Sequence, residues 1–347
     1  MPQKKVAVAM SGGIDSSVAA ALLKHQGYQV FGVTMLLYSK PDKEQKAKLK
    51  QAAESLGIPH YIIDLRRHFR HQIIKPFCNE YNNGRTPNPC IACNQHIKFG
   101  LLLNKVRRMG ADYLATGHYA RIESGQNGFR LIKGIDHGKD QSYFLYTLGQ
   151  QQLQYLLLPI GELYKNQTRR IARELCLTET EGHESQDICF VPDNDYRSFV
   201  ARHLSCQPGD IVDTDGGVLG KHSGLAYYTV GQRQGLGLAS DRRLYVLKLD
   251  SRNNKLVVGS QSQLLSSRLI AGRLNWVSGK APQDDDGITA RIRYKSPEAP
   301  ASLRLNRDTA EVSFSQPQRS VSPGQAVVFY QCEEVLGGGI IESSEIS

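Results

Sequence analysis

No run of about 18 or more apolar residues occurs in this sequence, which excludes a conventional membrane-spanning helix. The first apolar stretch, "VAVAM", covers only residues 6–10 and follows two lysines. It is too short for the core of a signal peptide and reads as a first strand, so the expected compartment is the cytoplasm. The seven cysteines are odd in number and irregular in spacing, unlike a secreted disulfide framework. One Cys-x-x-Cys pair, Cys90 and Cys93, stands behind two prolines in "GRTPNPCIACNQHIKFG". No second such pair or His pair completes a four-ligand zinc set, so zinc is not favoured. No internal repeat is visible.

What is present fits a folded chain of several domains. Hydrophobic residues make up 40% and charged residues 22%, as in ordinary globular proteins. A length of 347 residues predicts two or three domains. The net charge of +10 is unevenly spread. From residue 269 onward, 8 basic residues face 10 acidic ones; before it, 35 basic face 23 acidic. Excess positive charge on the front of the chain suits a polyanion such as nucleic acid.

Strand and helix patterns alternate through the first two hundred residues. "KVAVAM", "QVFGVTMLLY" and "PHYIIDL" read as strands. "DSSVAAALLKHQGY", stopped by Gly27, reads as a helix, as do "DKEQKAKLKQAAESLGI", stopped by Gly57, "CNQHIKFGLLLNKVRRMG" and "YKNQTRRIARELCL". "ADYLATGHYARI" reads as a strand leaving a loop, and "ESQDICFVPD" as a short extended stretch. Such alternation predicts an α/β fold, a parallel sheet with helices on both faces. Past Ser205 the chain turns glycine-rich with short β-like pieces, including a hairpin around Arg252–Asn254. From Leu269 onward "ITARIRY", "AEVSFS" and "QAVVFY" predict a small all-β barrel or sandwich. The expected domains are therefore 1–205, 206–268 and 269–347.

"VAMSGGIDSS" lies where the first strand meets the first helix. Two glycines let a ligand approach the backbone, and serine hydroxyls, amides and a helix N-terminus favour phosphate. No Gly-Lys-Ser/Thr follows, so it is not a Walker loop, nor is it Gly-x-Gly-x-x-Gly. The stretch resembles the PP-loop of ATP pyrophosphatases, which cleave ATP to AMP and pyrophosphate while activating a substrate oxygen. Asp15 would suit Mg²⁺ or its water shell. Among the cysteines, Cys93 stands near an expected helix start, where the helix dipole favours a thiolate. Cys176 and Cys332 read as small buried hydrophobes.

The chain as a whole resembles the tRNA-specific 2-thiouridylase family. The resemblance rests on "AMSGGIDSSVAA", "GRTPNPCIACNQHIKFG", "ATGHYARI", "KDQSYFLYTL", "SQDICFV", "GKHSGLAYYTVGQRQGLGL" and "ARIRY", in order. It implies a PP-loop catalytic domain, a small central tRNA-binding domain and a C-terminal β-barrel. It implies that Ser11, Gly12, Gly13, Asp15, Ser16 and Ser17 hold ATP phosphates, with Met35 and Gly117 lining the nucleotide site. Asn88, Pro89 and Cys90 would approach the target base. His118, Lys139, Asp140, Gln141, Arg293, Tyr294 and Gln325 would contact tRNA. Cys93 matches the nucleophile and Cys189 the persulfide-carrying cysteine, and these two can end turnover as a disulfide. The implied substrate is the wobble uridine of tRNA, with Glu, Gln and Lys acceptors expected, and sulfur arrives from a persulfide donor or relay protein. Many members carry Asp where this chain has Cys90, which leaves the general acid or base open. The substitution also raises an alternative: Cys90, Cys93 and Cys189 as ligands of a [4Fe–4S] cluster, as in other PP-loop tRNA thiolases.

Overall fold

The computed structural model describes residues 3–38, 51–177, 188–191, 195–204, 206–239, 242–284 and 286–345. The strands β1 (Lys5–Ala9), β2 (Gln29–Leu36), β3 (His60–Asp64), β4 (Tyr113–Ala115) and β7 (Leu156–Leu157) form one sheet in the order β3-β2-β1-β4-β7. Their pairings are all parallel. Parallel strands covered on both faces are apolar throughout, and Val6, Ala7 and Val8 of β1 are fully buried. Val6 and Val8 pack with Val18, Ala19 and Leu23 of helix α1 (Ile14–His25). Ala7 points the other way, into a cluster with Phe99, Leu102 and Val106. Those three belong to a helical segment spanning 89–108, here α3, while α2 spans 66–82. Helices therefore cover both faces, as the alternation of patterns predicts. Gly27 ends α1 at φ 87°, a conformation that suits glycine. Of the basic helix read near residue 50, residues 39–50 lie outside the described residues; residues 51–55 are helical and Gly57 follows at φ 57°.

A second sheet holds β8 (Gly209–Val212), β9 (Val218–His222), β10 (Tyr245–Asp250) and β11 (Lys255–Gly259), with Asn254 at φ 51° in the expected hairpin turn. A third contains β12 (Leu265–Trp276), β13 (Ile288–Arg291), β14 (Ala299–Asn306), β15 (Thr309–Arg319), β16 (Ala326–Gln331) and β17 (Glu334–Glu345). Pairing of β12 with both β15 and β17 closes these six into a barrel around Leu269, Val312, Val327, Phe329 and Ile341.

Three local expectations are corrected. "ADYLATGHYARI" is two strands in two sheets: β4 stays in the parallel sheet, while β5 (Ala120–Gly125) and β6 (Gly128–Lys133) form a hairpin that joins β17 of the barrel. A three-residue strand followed by Gly117 leaves room for that change of direction. Residues 188–191 form a turn rather than an extended stretch, with Val191 N donating to Ile188 O at 2.9 Å. Cys176 and Cys332 are exposed, not buried: both sit in turns, at φ 53° and 54°, and Cys176 lies past the last helical residue, Glu174.

Candidate active site

The PP-loop follows β1, at the carboxyl end of the parallel sheet, where such sheets bind ligands. Gly12 has φ 87°, so the loop turns through a conformation that penalises side chains. Gly13 is the N-cap of α1 and, lacking a side chain, caps none of the first helical amides. Ser16 Oγ and Ser17 Oγ donate to Gly13 O at 3.0 and 3.2 Å, and Ser11 N donates to Ser16 Oγ at 3.3 Å. The result is a stiff loop with free donors at the positive end of a twelve-residue helix, suited to phosphate.

Asp15 is held by residues from elsewhere. Lys165 Nζ donates to both carboxylate oxygens, at 2.7 and 2.8 Å, and Tyr119 Oη donates to Oδ1 at 2.9 Å. Lys165 is the first residue of α4 (Lys165–Glu174). Neither residue stood out in the sequence, because nothing local links positions 119 and 165 to position 15. Gly117 lies against the loop: a Cβ there would stand 2.7 Å from Asp15 C and 2.8 Å from Ser16 N. Met35, half-buried near the end of β2, lines the same edge of the sheet.

The thiols are positioned by α3. Asn88 caps it, accepting from Cys90 N at 3.1 Å and Ile91 N at 3.3 Å, and Pro89 occupies the first turn without losing a needed donor. The helix starts four residues before Cys93 and then widens: Cys93–Leu102 is π-helical, and Leu103 N donates to Lys98 O. Gly100 permits this, since a Cβ there would press to 2.9 Å of Gln95 O. Long π-segments are rare and concentrate at functional sites. Cys189 is fixed by its neighbour. Phe190 is buried and packs against Phe69, Phe77 and Phe199 at 5.6, 5.2 and 5.2 Å between ring centroids.

Cys90, Cys93, Cys189 and Lys98 act on one another electrostatically, so residues distant in sequence converge here. Burial pushes Cys93 up to about 12 and Cys90 up to about 11. Cys189, which keeps an exposed face, is also raised by the protein around its sulfur. Lys98 opposes the rise at all three. The expectation that the helix start favours a Cys93 thiolate is thus not met in the resting state: burial raises the thiol. His118 closes the cluster. Its Nε2 lies 3.5 Å from Lys98 Nζ and its Nδ1 2.6 Å from Thr116 Oγ1. Burial, then Lys98, depress its pKa well below the usual value, so the ring is neutral. The loop 116–119 therefore touches both the PP-loop, through Gly117 and Tyr119, and the thiol cluster, through His118.

The remaining expected residues serve largely as braces. Asp140 is buried and accepts from Gly134 N, Ser142 N and Ser142 Oγ at 3.0, 3.1 and 2.9 Å. Gln141 Oε1 accepts from Tyr119 N at 3.0 Å. Lys139 is half-buried on the same loop. Arg293 donates to Ser322 Oγ at 2.6 Å, to Ser320 O, and to Val230 O at 3.4 Å, linking the barrel to the central region. Tyr294 packs on Phe144 at 4.4 Å. Gln325 Nε2 donates to Thr86 O at 3.0 Å, tying the barrel to the loop before α3. The [4Fe–4S] alternative is not supported. Among the described residues, which include all three thiols, no group of three or more His, Cys, Asp or Glu side chains is placed to hold one metal centre.

The family described as "tRNA methyl transferase HUP domain" matches residues 4–193, "tRNA methyl transferase PRC-barrel domain" residues 197–260, and "Aminomethyltransferase beta-barrel domain" residues 266–341. The chain is 45% identical over 347 residues to the tRNA-specific 2-thiouridylase MnmA of Dehalococcoides mccartyi, covering 97% of this chain and 96% of that one. It is 47% identical over 360 residues to that of Carboxydothermus hydrogenoformans, covering 98% of each. Among solved structures, a 4-thiouridine synthetase–RNA complex with bound ATP aligns at 15% identity and TM-score 0.38, over 58% of this chain and 50% of that one. With relatives at this identity over nearly the whole chain, and the first family model covering residues 4–193, the chain belongs to the tRNA-specific 2-thiouridylase family.

Proposed function

We propose that this protein is an ATP-dependent tRNA-uridine 2-sulfurtransferase acting on the wobble uridine. The observation that carries the reading is the shared loop: residues 116–119 brace the PP-loop on one side and meet Lys98 beside Cys90, Cys93 and Cys189 on the other. A nucleotide site and a sulfur site so joined suit adenylation followed by sulfur attack. The family descriptions name methyl transfer, whereas the relatives' names state thiolation; three thiols around one cation favour sulfur.

A uracil 2-carbonyl is a poor electrophile with a poor leaving group. Transfer of AMP from ATP to O2 releases pyrophosphate and makes that oxygen part of a good leaving group. The PP-loop amides, with Ser11, Gly12, Gly13, Ser16 and Ser17, hold the phosphates. The carboxylate of Asp15 has hard oxygen donors that fit Mg²⁺, directly or through water, with Oδ2 engaged among the described residues by Lys165; the ion would neutralise phosphate charge. Cys189 carries the incoming sulfur as a persulfide. That terminal sulfur bonds to C2 and AMP leaves. Cys93 sulfur then attacks Cys189 Sγ, the bond from Cys189 to the transferred sulfur breaks, and that sulfur keeps the electron pair as the thiocarbonyl. A Cys93–Cys189 disulfide remains, to be reduced by an external thiol before a persulfide donor reloads Cys189. A wobble base in a single-stranded loop is reached without opening a duplex.

In this reading residues 1–205 perform catalysis, 206–268 bind tRNA and 269–347 form the supporting barrel. The expected acceptors are Glu, Gln and Lys tRNAs, and the work is cytoplasmic. Positive charge before residue 269 supports backbone contact. Incubation of purified protein with unmodified tRNA, Mg-ATP and a persulfide donor tests the proposal. Pyrophosphate, AMP and 2-thiouridine at the wobble position are expected by nucleoside mass spectrometry. A methylated nucleoside, or no AMP release, overturns it.

A further inference from the structure

The reaction needs negative sulfur in a place that suppresses it. Cys93 is buried, and its thiol is pushed up to about 12. The attack on the persulfide nevertheless requires a thiolate, because the thiol is a poor nucleophile. Something in the site must stabilise charge on sulfur at the moment it forms.

Lys98 has the placement for that task. In an α-helix, residues five apart lie about 140° apart round the axis. The π-turn, hydrogen-bonded from i to i+5, brings residue 98 back over residue 93. The side chain is half-buried and reaches His118, whose Nε2 is 3.5 Å from Nζ. His118 is locked in turn by Thr116 Oγ1 at 2.6 Å and by its ring contact with Phe99 at 5.7 Å. The choice of partner matters. A carboxylate would neutralise the ammonium and spend its field, whereas a neutral imidazole orients it and leaves its charge available. Among the described residues no carboxylate forms an ion pair with Lys98. Among the described residues, the groups that interact with it are His118 and the thiols Cys90, Cys93 and Cys189.

We propose that Lys98 is the positioning cation of the sulfur centre, oriented by His118 and the π-turn to stabilise thiolate on Cys93 and negative charge on the sulfur carried by Cys189. The proposal rests on the thiolation reading for its role in turnover, but its electrostatic core does not. Loss of the Cys93 proton to solvent leaves a thiolate beside the ammonium. When that thiolate bonds to Cys189 Sγ, the charge passes to the transferred sulfur, still within the same field, and is lost as the base nitrogen N3 takes up a proton and the thiocarbonyl forms, AMP having left when the sulfur bonded to C2. Lys98 also stands in the block "CNQHIKFG", where nothing local separates it from an ordinary surface lysine.

The test uses full-length protein with Lys98→Met and Lys98→Arg. Cys93 alkylation by a neutral reagent is followed against pH in a Cys90→Ser, Cys189→Ser background, and turnover is followed with all cysteines present. With Lys98→Met the alkylation curve should move up by about one pH unit, a roughly tenfold loss of rate at fixed pH. Its 2-thiouridine formation should fall about tenfold further than its pyrophosphate release. Lys98→Arg should return both to within about threefold of the parent, since charge rather than shape is the requirement. An unmoved alkylation curve in Lys98→Met overturns the proposal, as does Lys98→Arg behaving like Lys98→Met. Absence of pyrophosphate release from the parent protein would defeat the thiolation reading instead, and the alkylation curves would still decide on Lys98.

Discussion

At Cys93 two influences oppose each other, and their balance sets how the residue can be observed. Burial raises the thiol to about 12, and Lys98 pulls it down. At pH 7 the free enzyme therefore holds Cys93 as the thiol. Alkylation of Cys93 in a Cys90→Ser, Cys189→Ser background should climb about tenfold per pH unit from pH 7 to 10. A plateau below pH 9 would contradict the burial argument. His118 carries a second prediction. The unfolded chain protonates this imidazole near pH 6.5, the folded chain well below it. Between those values the unfolded state binds more protons, so stability falls as pH falls through about 6.5. His60 and His222 shift in the same direction. His118→Gln should flatten, without abolishing, the loss of stability between pH 7 and 5 in urea titrations.

The PP-loop is an element whose shape is enforced from outside. Gly117 packs so closely on Asp15 and Ser16 that a methyl group must displace backbone, not a flexible side-chain end. Gly117→Ala should cost about 1–3 kcal/mol of stability and weaken ATP binding roughly tenfold in titration calorimetry. Unchanged ATP affinity would remove Gly117 from the nucleotide site. Lys165 braces the same loop through Asp15, with about a fifth of each side chain exposed. Charge-assisted hydrogen bonds are worth about 1.5–3 kcal/mol, and partial exposure lowers that. Lys165→Met should therefore destabilise by about 1–2 kcal/mol and weaken ATP binding. Equal ATP affinity in parent and variant would limit Lys165 to a structural part. These elements were visible in the sequence as a glycine turn between strand and helix; their braces were not.

On the scale of the whole molecule, the barrel shapes the active-site loop. Thr86 N donates to Pro323 O at 2.8 Å, Gln325 Nε2 to Thr86 O at 3.0 Å, and Arg85 to Ile341 O at 3.2 Å. Gly324, at φ 93°, lies where a Cβ would meet Thr86 N at 2.8 Å. Gly324→Val should separate barrel and loop at a cost of about 1–3 kcal/mol. It should depress 2-thiouridine formation far more than ATP affinity, because the PP-loop lies on a different part of the fold. Equal loss of both would show a general unfolding effect. The β5–β6 hairpin and Arg293 make further ties, so the three parts of the chain interlock.

Strand–helix alternation, the change of texture past residue 205 and the short strands after residue 269 were legible because hydrophobic period and turn residues are local properties. The PP-loop was legible for the same reason, its glycines and serines being contiguous. What lay beyond the sequence depends on distance in space. The ionisation of Cys93 was misjudged because helix position is local but burial is not. Lys98 could be singled out only once α3 was known to widen into a π-turn over Cys93. Lys165, Tyr119 and Gly117 converge on Asp15 from three other segments. Sequence determined which groups the chain owns; tertiary structure decided which meet, and therefore which charges are stabilised, because desolvation and Coulomb interaction act through space and not along the chain.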